Sequence, residues 1–171
     1  MSDYVYATGI TQTAADARYS PLAGSVGGPS RIAVVTVQFD KTNSTLANVT
    51  GLTFTVEPGT YKLAALMNVN SQAGGTKYAI GGSATATAVW ARSVIFGDPA
   101  APQIQTGKAT ALGASVGAET FAFGVDTNVT INGTITVSVA GTLTVQFAQQ
   151  TTDVTASSVL AGSTFELLRI S

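Results

Sequence analysis

The side chains that could perform chemistry in this chain are mainly carboxylates, and no motif pairs them. The 171-residue sequence contains neither histidine nor cysteine, which excludes histidine-based serine or cysteine triads and ordinary zinc sites. A hydrolase that uses two carboxylates needs both groups held across one bond of its substrate. The candidates are Asp98, Glu119, Asp126, Asp153 and Glu166. Because no spacing fixes any of them opposite another, we interpret them as solvated loop charges and predict no catalytic residue.

Two short segments carry oxygen-bearing side chains of the kind that bind calcium. They are Asp126-Thr127-Asn128 and the pair formed by Asp40 and Asn43. A calcium loop needs a spaced series of acidic side chains and a glycine, and both segments lack them. Asp and Asn also favour turns through local hydrogen bonds. We therefore predict turns here and no metal site, and no glycine-rich motif follows a strand to hold a nucleotide cofactor.

Carbohydrate recognition has one candidate side chain, the lone tryptophan Trp90. Its ring has the shape to stack on a sugar, as in receptor-binding domains, but a tryptophan in a strand rich in Ala and Val is more often part of the core. We favour the core interpretation. Four asparagines also lie in N-x-S/T motifs, which we attribute to chance because threonine is abundant in strands. They are Asn43, Asn48, Asn128 and Asn132.

The charge pattern disfavours nucleic acids and membranes and favours association between copies of the chain. The eight Lys and Arg residues are spread singly, whereas a nucleic-acid site needs a basic patch. No run of about eighteen apolar residues occurs, so we expect no membrane insertion. Hydrophobic residues make up 45% and charged residues only 10%, against about a quarter in typical soluble domains. An obligate oligomer hides such a surface from water.

The segment that organises the chain contains two strand-like runs, Leu52–Val56 and Tyr61–Met67, joined by Glu57-Pro58-Gly59. Phe54 and Val56 alternate with threonines, which predicts one buried face. A Pro-Gly sequence favours a type II turn, in which glycine supplies the positive φ. We therefore predict a hairpin-like pair of strands.

From Arg31 onward the pattern is one of short strands separated by turns, without a helical period. We predict eight to ten strands, an all-β domain over residues 31–171, and a sandwich or barrel architecture. Ile104–Val116 has the least regular pattern. The further predicted strands are Ile32–Phe39, Lys77–Ile80, Ala84–Phe96, Thr120–Phe123, Val129–Val139 split by Asn132-Gly133, Leu143–Phe147 and Phe165–Ile170.

Residues 1–30 differ from the rest and are too short to form their own core. Thr13–Tyr19 is predicted to form one or two helical turns that end before Pro21, and glycines then make a joint. A disordered leader is the simplest interpretation. We favour a docking arm, because its apolar side chains suit an interface and thirty extended residues span roughly 100 Å. The predicted anchors are Tyr4, Tyr6, Ile10, Tyr19 and Leu22.

Four segments carry a resemblance to known families. LTFTVEPGTYKL (Leu52–Leu63), followed by AGSTFELLRI (Ala161–Ile170), resembles the jelly roll of tumour necrosis factor and of the complement-type globular head. GLTFTVEPGTYKL together with VSVAGTLTVQFAQQ is similar to small trimeric virion proteins of tailed bacteriophages. The leader ITQTAADARYSPLAG (Ile10–Gly24) resembles segments of phage tail-fibre and head-fibre proteins.

The resemblance implies a homotrimeric jelly-roll β-sandwich with an N-terminal arm, in which the strand ending at Ile170 lies near the threefold axis. It makes four side chains candidates for the trimer interface. Each of them also suits the core of a single chain, and the sequence leaves both interpretations open. They are Tyr61, Phe147, Phe165 and Leu167.

We therefore expect a non-enzymatic structural protein of the virion that needs no cofactor. The first hypothesis is a capsid decoration, or cement, protein whose partners are its own copies and the major capsid protein, located on the capsid surface. The second hypothesis is the tip of a tail or head fibre that binds a host receptor or glycan, located on the virion tail or head. A polysaccharide-degrading enzyme is disfavoured because no carboxylate pair is found.

Overall fold

The computed structural model describes residues 30–96, 104–119 and 126–171, and these ranges fold as two antiparallel β-sheets without a helix. Strand formation follows the alternation of apolar and polar residues along the sequence. The strands are β1 (Arg31–Val34), β2 (Phe39–Lys41), β3 (Ala47–Val56), β4 (Gly59–Asn70), β5 (Thr76–Gly81), β6 (Thr85–Phe96), β7 (Ile104–Ala109), β8 (Ser115–Glu119), β9 (Asp126–Val139), β10 (Gly141–Ala148), β11 (Ser157–Val159) and β12 (Thr164–Arg169).

The two sheets differ in size. The large sheet has the strand order β1-β12-β4-β9-β6-β7, with β11 pairing with the end of β4 and β2 pairing with β11. The small sheet has the order β3-β10-β5-β8. The inward side chains of both sheets form one shared hydrophobic core. The prediction of an all-β sandwich-like domain is therefore confirmed.

Each central strand sends alternate side chains into this core. On β4 the inward positions are Tyr61, Leu63, Ala65, Met67 and Val69, and all are buried. Aromatic rings bridge the two sheets: the ring centroids of Phe54 on β3 and Phe165 on β12 lie 5.3 Å apart. Burial of this apolar area is the main source of the fold's stability.

The predicted hairpin between Leu52–Val56 and Tyr61–Met67 is wrong in its pairing. The two runs are strands β3 and β4, but they belong to opposite sheets, and the chain crosses between the sheets at Glu57 and Pro58. Alternation predicts which face of a strand is buried, and that part is confirmed; it does not identify the strand's hydrogen-bonded neighbours. The predicted type II turn is also wrong: Gly59 is the first residue of β4 and has a φ of 153°, far from the roughly +80° of a type II turn. An added Cβ would lie 2.5 Å from the backbone oxygen of Ser171.

The predicted break at Asn132-Gly133 is also wrong, because β9 runs unbroken from Asp126 to Val139. Gly133 pairs with Leu63 on one side and with Ala91 on the other. A Cβ at this glycine would lie 2.0 Å from the backbone oxygen of Trp90. The glycine thus permits the close approach of β6 and does not form a turn.

Other element boundaries differ in smaller ways from the predicted ones. The single strand predicted at Ile32–Phe39 is divided into β1 and β2, and the irregular Ile104–Val116 segment contains β7, a turn and the start of β8. The predicted strand Thr120–Phe123 and the helical turns at Thr13–Tyr19 lie outside the described residues. The described ranges contain twelve strands, more than predicted because short edge strands have little sequence signal.

Candidate assembly surface

The solvent-facing side of the large sheet, called here the outer face, gathers most of the exposed large apolar side chains in the described part of the chain. Partners in antiparallel register point to the same side of a sheet, so the register assigns each side chain to a face. The five that share the outer face are Ile32, Val34, Leu66, Trp90 and Ile104.

Leu66 lies at the middle of this face, in a row that crosses the sheet. Its partners are Thr164 on β12 and Thr130 on β9. Thr164 pairs in turn with Val34 on β1, and Thr130 pairs with Val94 on β6. Neutral side chains therefore extend along this row over five adjacent strands.

The next row carries charges only toward its two ends. Glu166 on β12 pairs with Ala64, which pairs with Asn132 on β9. Asn132 pairs with Arg92 on β6, and Arg92 pairs with Lys108 on β7. The acidic and basic side chains of this row are thus separated by two neutral positions.

Trp90 lies on the outer face and is 50% exposed, so the prediction that it belongs to the core is wrong. Register shifts near Thr85 and Ala88 change the phase of β6. As a result Ala91 and Ile95, not Trp90, point into the core. The ammonium of Lys108 lies 6.0 Å from the centre of the indole ring, within range of a cation–π contact.

The four residues predicted for the trimer interface are buried inside one chain. Tyr61 is 5% exposed, Leu167 is 1% exposed, and Phe147 and Phe165 have no exposed area. The Tyr61 hydroxyl donates a hydrogen bond to the backbone oxygen of Glu57 at 2.7 Å. They therefore fill the sandwich of the single chain, which is the other interpretation that the sequence left open.

The arm residues Tyr4, Tyr6, Ile10, Tyr19 and Leu22 lie outside the described residues, and the structure does not bear on their predicted role. The Ser30 hydroxyl donates a hydrogen bond to the Glu166 carboxylate, which lies on the outer face.

The candidate carboxylates Asp126 and Asp153 accept hydrogen bonds from neutral groups. Asp126 accepts one from the Asn70 amide at 3.1 Å, and Asp153 accepts one from the backbone N–H of Thr155 at 2.8 Å. Asp98 lies outside the described residues, and only the backbone of Glu119 is described.

Of the segments considered for calcium, Asn43 lies in a turn as predicted, but Asp40 lies in strand β2 and Asp126-Thr127-Asn128 lies at the start of strand β9. The predicted turns are therefore wrong at Asp40 and at Asp126–Asn128, where the backbone pairs with neighbouring strands. Asn43 accepts a hydrogen bond from the backbone N–H of Thr45 at 3.1 Å, as in an Asx turn. Asp40 interacts instead with Gln38 and Ser158. Within the three described ranges, no group of three or more acidic side chains is arranged to hold a metal ion.

The pKa of Asp40 lies below its ordinary value. The Ser158 hydroxyl donates to its carboxylate at 2.6 Å and the Gln38 amide at 2.7 Å, and these two hydrogen bonds lower the pKa of Asp40. The bond from Ser158 joins β11 to β2 at the end of the large sheet.

We predict that this interaction stabilises the protein only while Asp40 is ionised. Because its pKa is lower in the folded state, the contribution is complete above the unfolded value of about 3.9 and is lost as the pH falls through the folded pKa. Urea unfolding of Asp40→Asn should show a free energy of unfolding lower by no more than about 1 kcal/mol at pH 6, since the site is exposed. The difference should vanish near pH 2.

Ser158→Ala removes the main donor and should reproduce the same pH-dependent loss. A difference between wild type and Asp40→Asn that is constant from pH 2 to pH 6 would contradict this assignment.

Two comparisons with known proteins found no relative of this chain. No protein-family model matches the chain, and no curated protein sequence is significantly similar to it. Within the described ranges, no helix has the length and apolar character needed to span a membrane.

Proposed function

We propose that this protein is a non-enzymatic structural component of a phage particle, in which three jelly rolls associate and bind the capsid shell as a decoration protein. The observation that carries the proposal is the outer face of the large sheet, a broad and mostly neutral surface with several exposed apolar side chains.

The nested pairing of strands supports a jelly roll. Eight strands remain when β2, β6, β7 and β11 are set aside, and the first of them pairs with the last. The second pairs with the seventh, the third with the sixth and the fourth with the fifth. This is the pattern of a long hairpin rolled into two sheets, as in a double Greek key.

The sequence of β4 supports burial of the outer face in an oligomer. Leu63–Met67 is a run of five apolar residues without alternation, which is typical of a strand covered on both sides. Leu63, Ala65 and Met67 are buried in the core, whereas Leu66 on the outer face is 47% exposed. A second copy of the chain would cover Leu66, and the low content of charged residues fits such a contact.

The location on a phage particle rests on the resemblance of Gly51–Leu63 and Ile10–Gly24 to phage virion proteins. A protein that binds only the assembled shell stabilises it by RT ln(1 + [L]/Kd), where [L] is the concentration of free trimer. No chemical reaction is required for this role.

A second candidate function is the receptor-binding tip of a tail or head fibre. It is favoured by one observation, the half-exposed ring of Trp90 beside Lys108. An exposed indole with a nearby donor suits stacking on a sugar ring.

Imaging of intact particles with a gold-tagged antibody against this protein tests the proposed location. Gold distributed over the head is expected for a decoration protein, with particles from a strain that lacks the gene as the control. Gold confined to the tail end would favour the receptor-binding function. Absence of gold from purified particles that contain intact heads and tails would overturn both.

A further inference from the structure

We infer that Arg92 and Lys108 form a basic docking site for Glu166 of a neighbouring copy, so that charged edges of the outer face join one subunit to the next. This inference rests on the proposed trimer. It adds a charged contact that would set the orientation of neighbouring subunits. The occupant of the site is a second copy of this chain.

The basic pair is unusual because the two like charges are direct cross-strand partners. Arg92 on β6 lies opposite Lys108 on β7, and both side chains are exposed. Like charges placed directly opposite each other destabilise a sheet. Within the part of the chain that the structure describes, neither has an acidic partner. An incoming carboxylate would relieve this repulsion.

The acidic partner within the same row is too far away in its own chain. Glu166 on β12 is three strands from Arg92 and four strands from Lys108. With strands about 4.8 Å apart, these separations are about 14 Å and 19 Å. The carboxylate is exposed, and its described partner is the neutral Ser30 hydroxyl.

Glu166 lies toward one side of the face and the Arg92–Lys108 pair toward the other, with the exposed Lys62 of β4 between them. The separation of Glu166 from the basic pair fits a cyclic contact. In a ring each copy presents its basic side to one neighbour and its acidic side to the other, and closure leaves neither side without a partner. The apolar side chains between them, Leu66 above all, supply buried area, whereas the charged pairs select the orientation.

Charge exchange tests the inference on the full-length protein. Light scattering across a dilution series gives the concentration at which the trimer dissociates. Glu166→Lys is expected to raise that concentration at least tenfold in low salt, and so is the double variant Arg92→Glu, Lys108→Glu. The triple variant that combines these changes should restore the trimer, because each pair is then reversed. Lys77→Glu on the small sheet is the matched control and should leave dissociation unchanged.

The outcomes of these experiments distinguish a failure of this inference from a failure of the proposed trimer. A wild type that is monomeric at micromolar concentration overturns the trimer and this contact together. A trimer that tolerates Glu166→Lys, or a triple variant that is not restored although its thermal unfolding is normal, overturns the docking site alone. The expected effect should also weaken in 0.5 M salt, since screening acts on exposed charges.

Discussion

Phe165→Ala is expected to destabilise the folded chain by about 3–5 kcal/mol, the range for removing a buried aromatic ring. The ring has no exposed area and packs against Phe54 of the opposite sheet. Its loss leaves a cavity between the two sheets, where neighbouring strands have little freedom to collapse. Because domains of this size are stable by about 5–15 kcal/mol, a large part of the stability would be lost.

Urea unfolding followed by tryptophan fluorescence measures this effect. Leu168→Ala is the matched control: it lies on the same strand but points to the outer face and is only partly buried, so a loss of about 1 kcal/mol or less is expected. A Phe165→Ala variant as stable as this control would show that the ring does not support the core. Phe165→Asp should prevent folding altogether, because it buries an unpaired charge.

Leu66→Arg is expected to convert the proposed trimer into a folded monomer. Leu66 lies at the centre of the outer face with neutral neighbours on both sides. A guanidinium buried there by a neighbouring copy would have no partner in its row, and an unpaired buried charge typically costs several kcal/mol. The dissociation concentration should rise by more than a hundredfold, while the thermal unfolding of the single chain changes little.

Light scattering and circular dichroism together distinguish this result from misfolding. Val154→Arg is the control, because Val154 is 94% exposed in the loop between β10 and β11. It should leave the mass unchanged. A Leu66→Arg protein that stays trimeric at nanomolar concentration would exclude the outer face as the contact between copies.

The all-β class and the inward side chains were predictable because a period of two directly reports burial of one face of a strand. Phe54, Tyr61 and Leu63 were assigned correctly to the buried side for this reason. The pairing of β3 with β10 was not predictable from the local pattern, since the partner lies about ninety residues away along the chain. The Pro58-Gly59 sequence after β3 instead led to the prediction that β3 pairs with β4, the next strand along the chain.

The candidate surface was predicted poorly for two physical reasons. Trp90 follows a bulge in β6. Because a bulge adds one residue, every later side chain on the strand points to the face opposite the one that simple alternation predicts. The outer face also combines residues of six strands, so its character depends on registers that no single segment encodes. One local signal was present, the unbroken apolar run Leu63–Met67. Such a run is typical of a strand that is covered on both faces, and Leu66 is its large side chain on the outer face.

The position of β12 has a consequence for how the chain acquires its structure. This strand lies between β1 and β4 within the large sheet, and the contact between Ser30 and Glu166 joins residues 136 positions apart. During synthesis, β1 and β4 therefore leave the ribosome long before the strand that must separate them. The backbone groups of β1 and β4 that bond to β12 in the folded protein have no partner until β12 is synthesised. Such distant pairing makes folding slow and leaves the growing chain dependent on protection from aggregation.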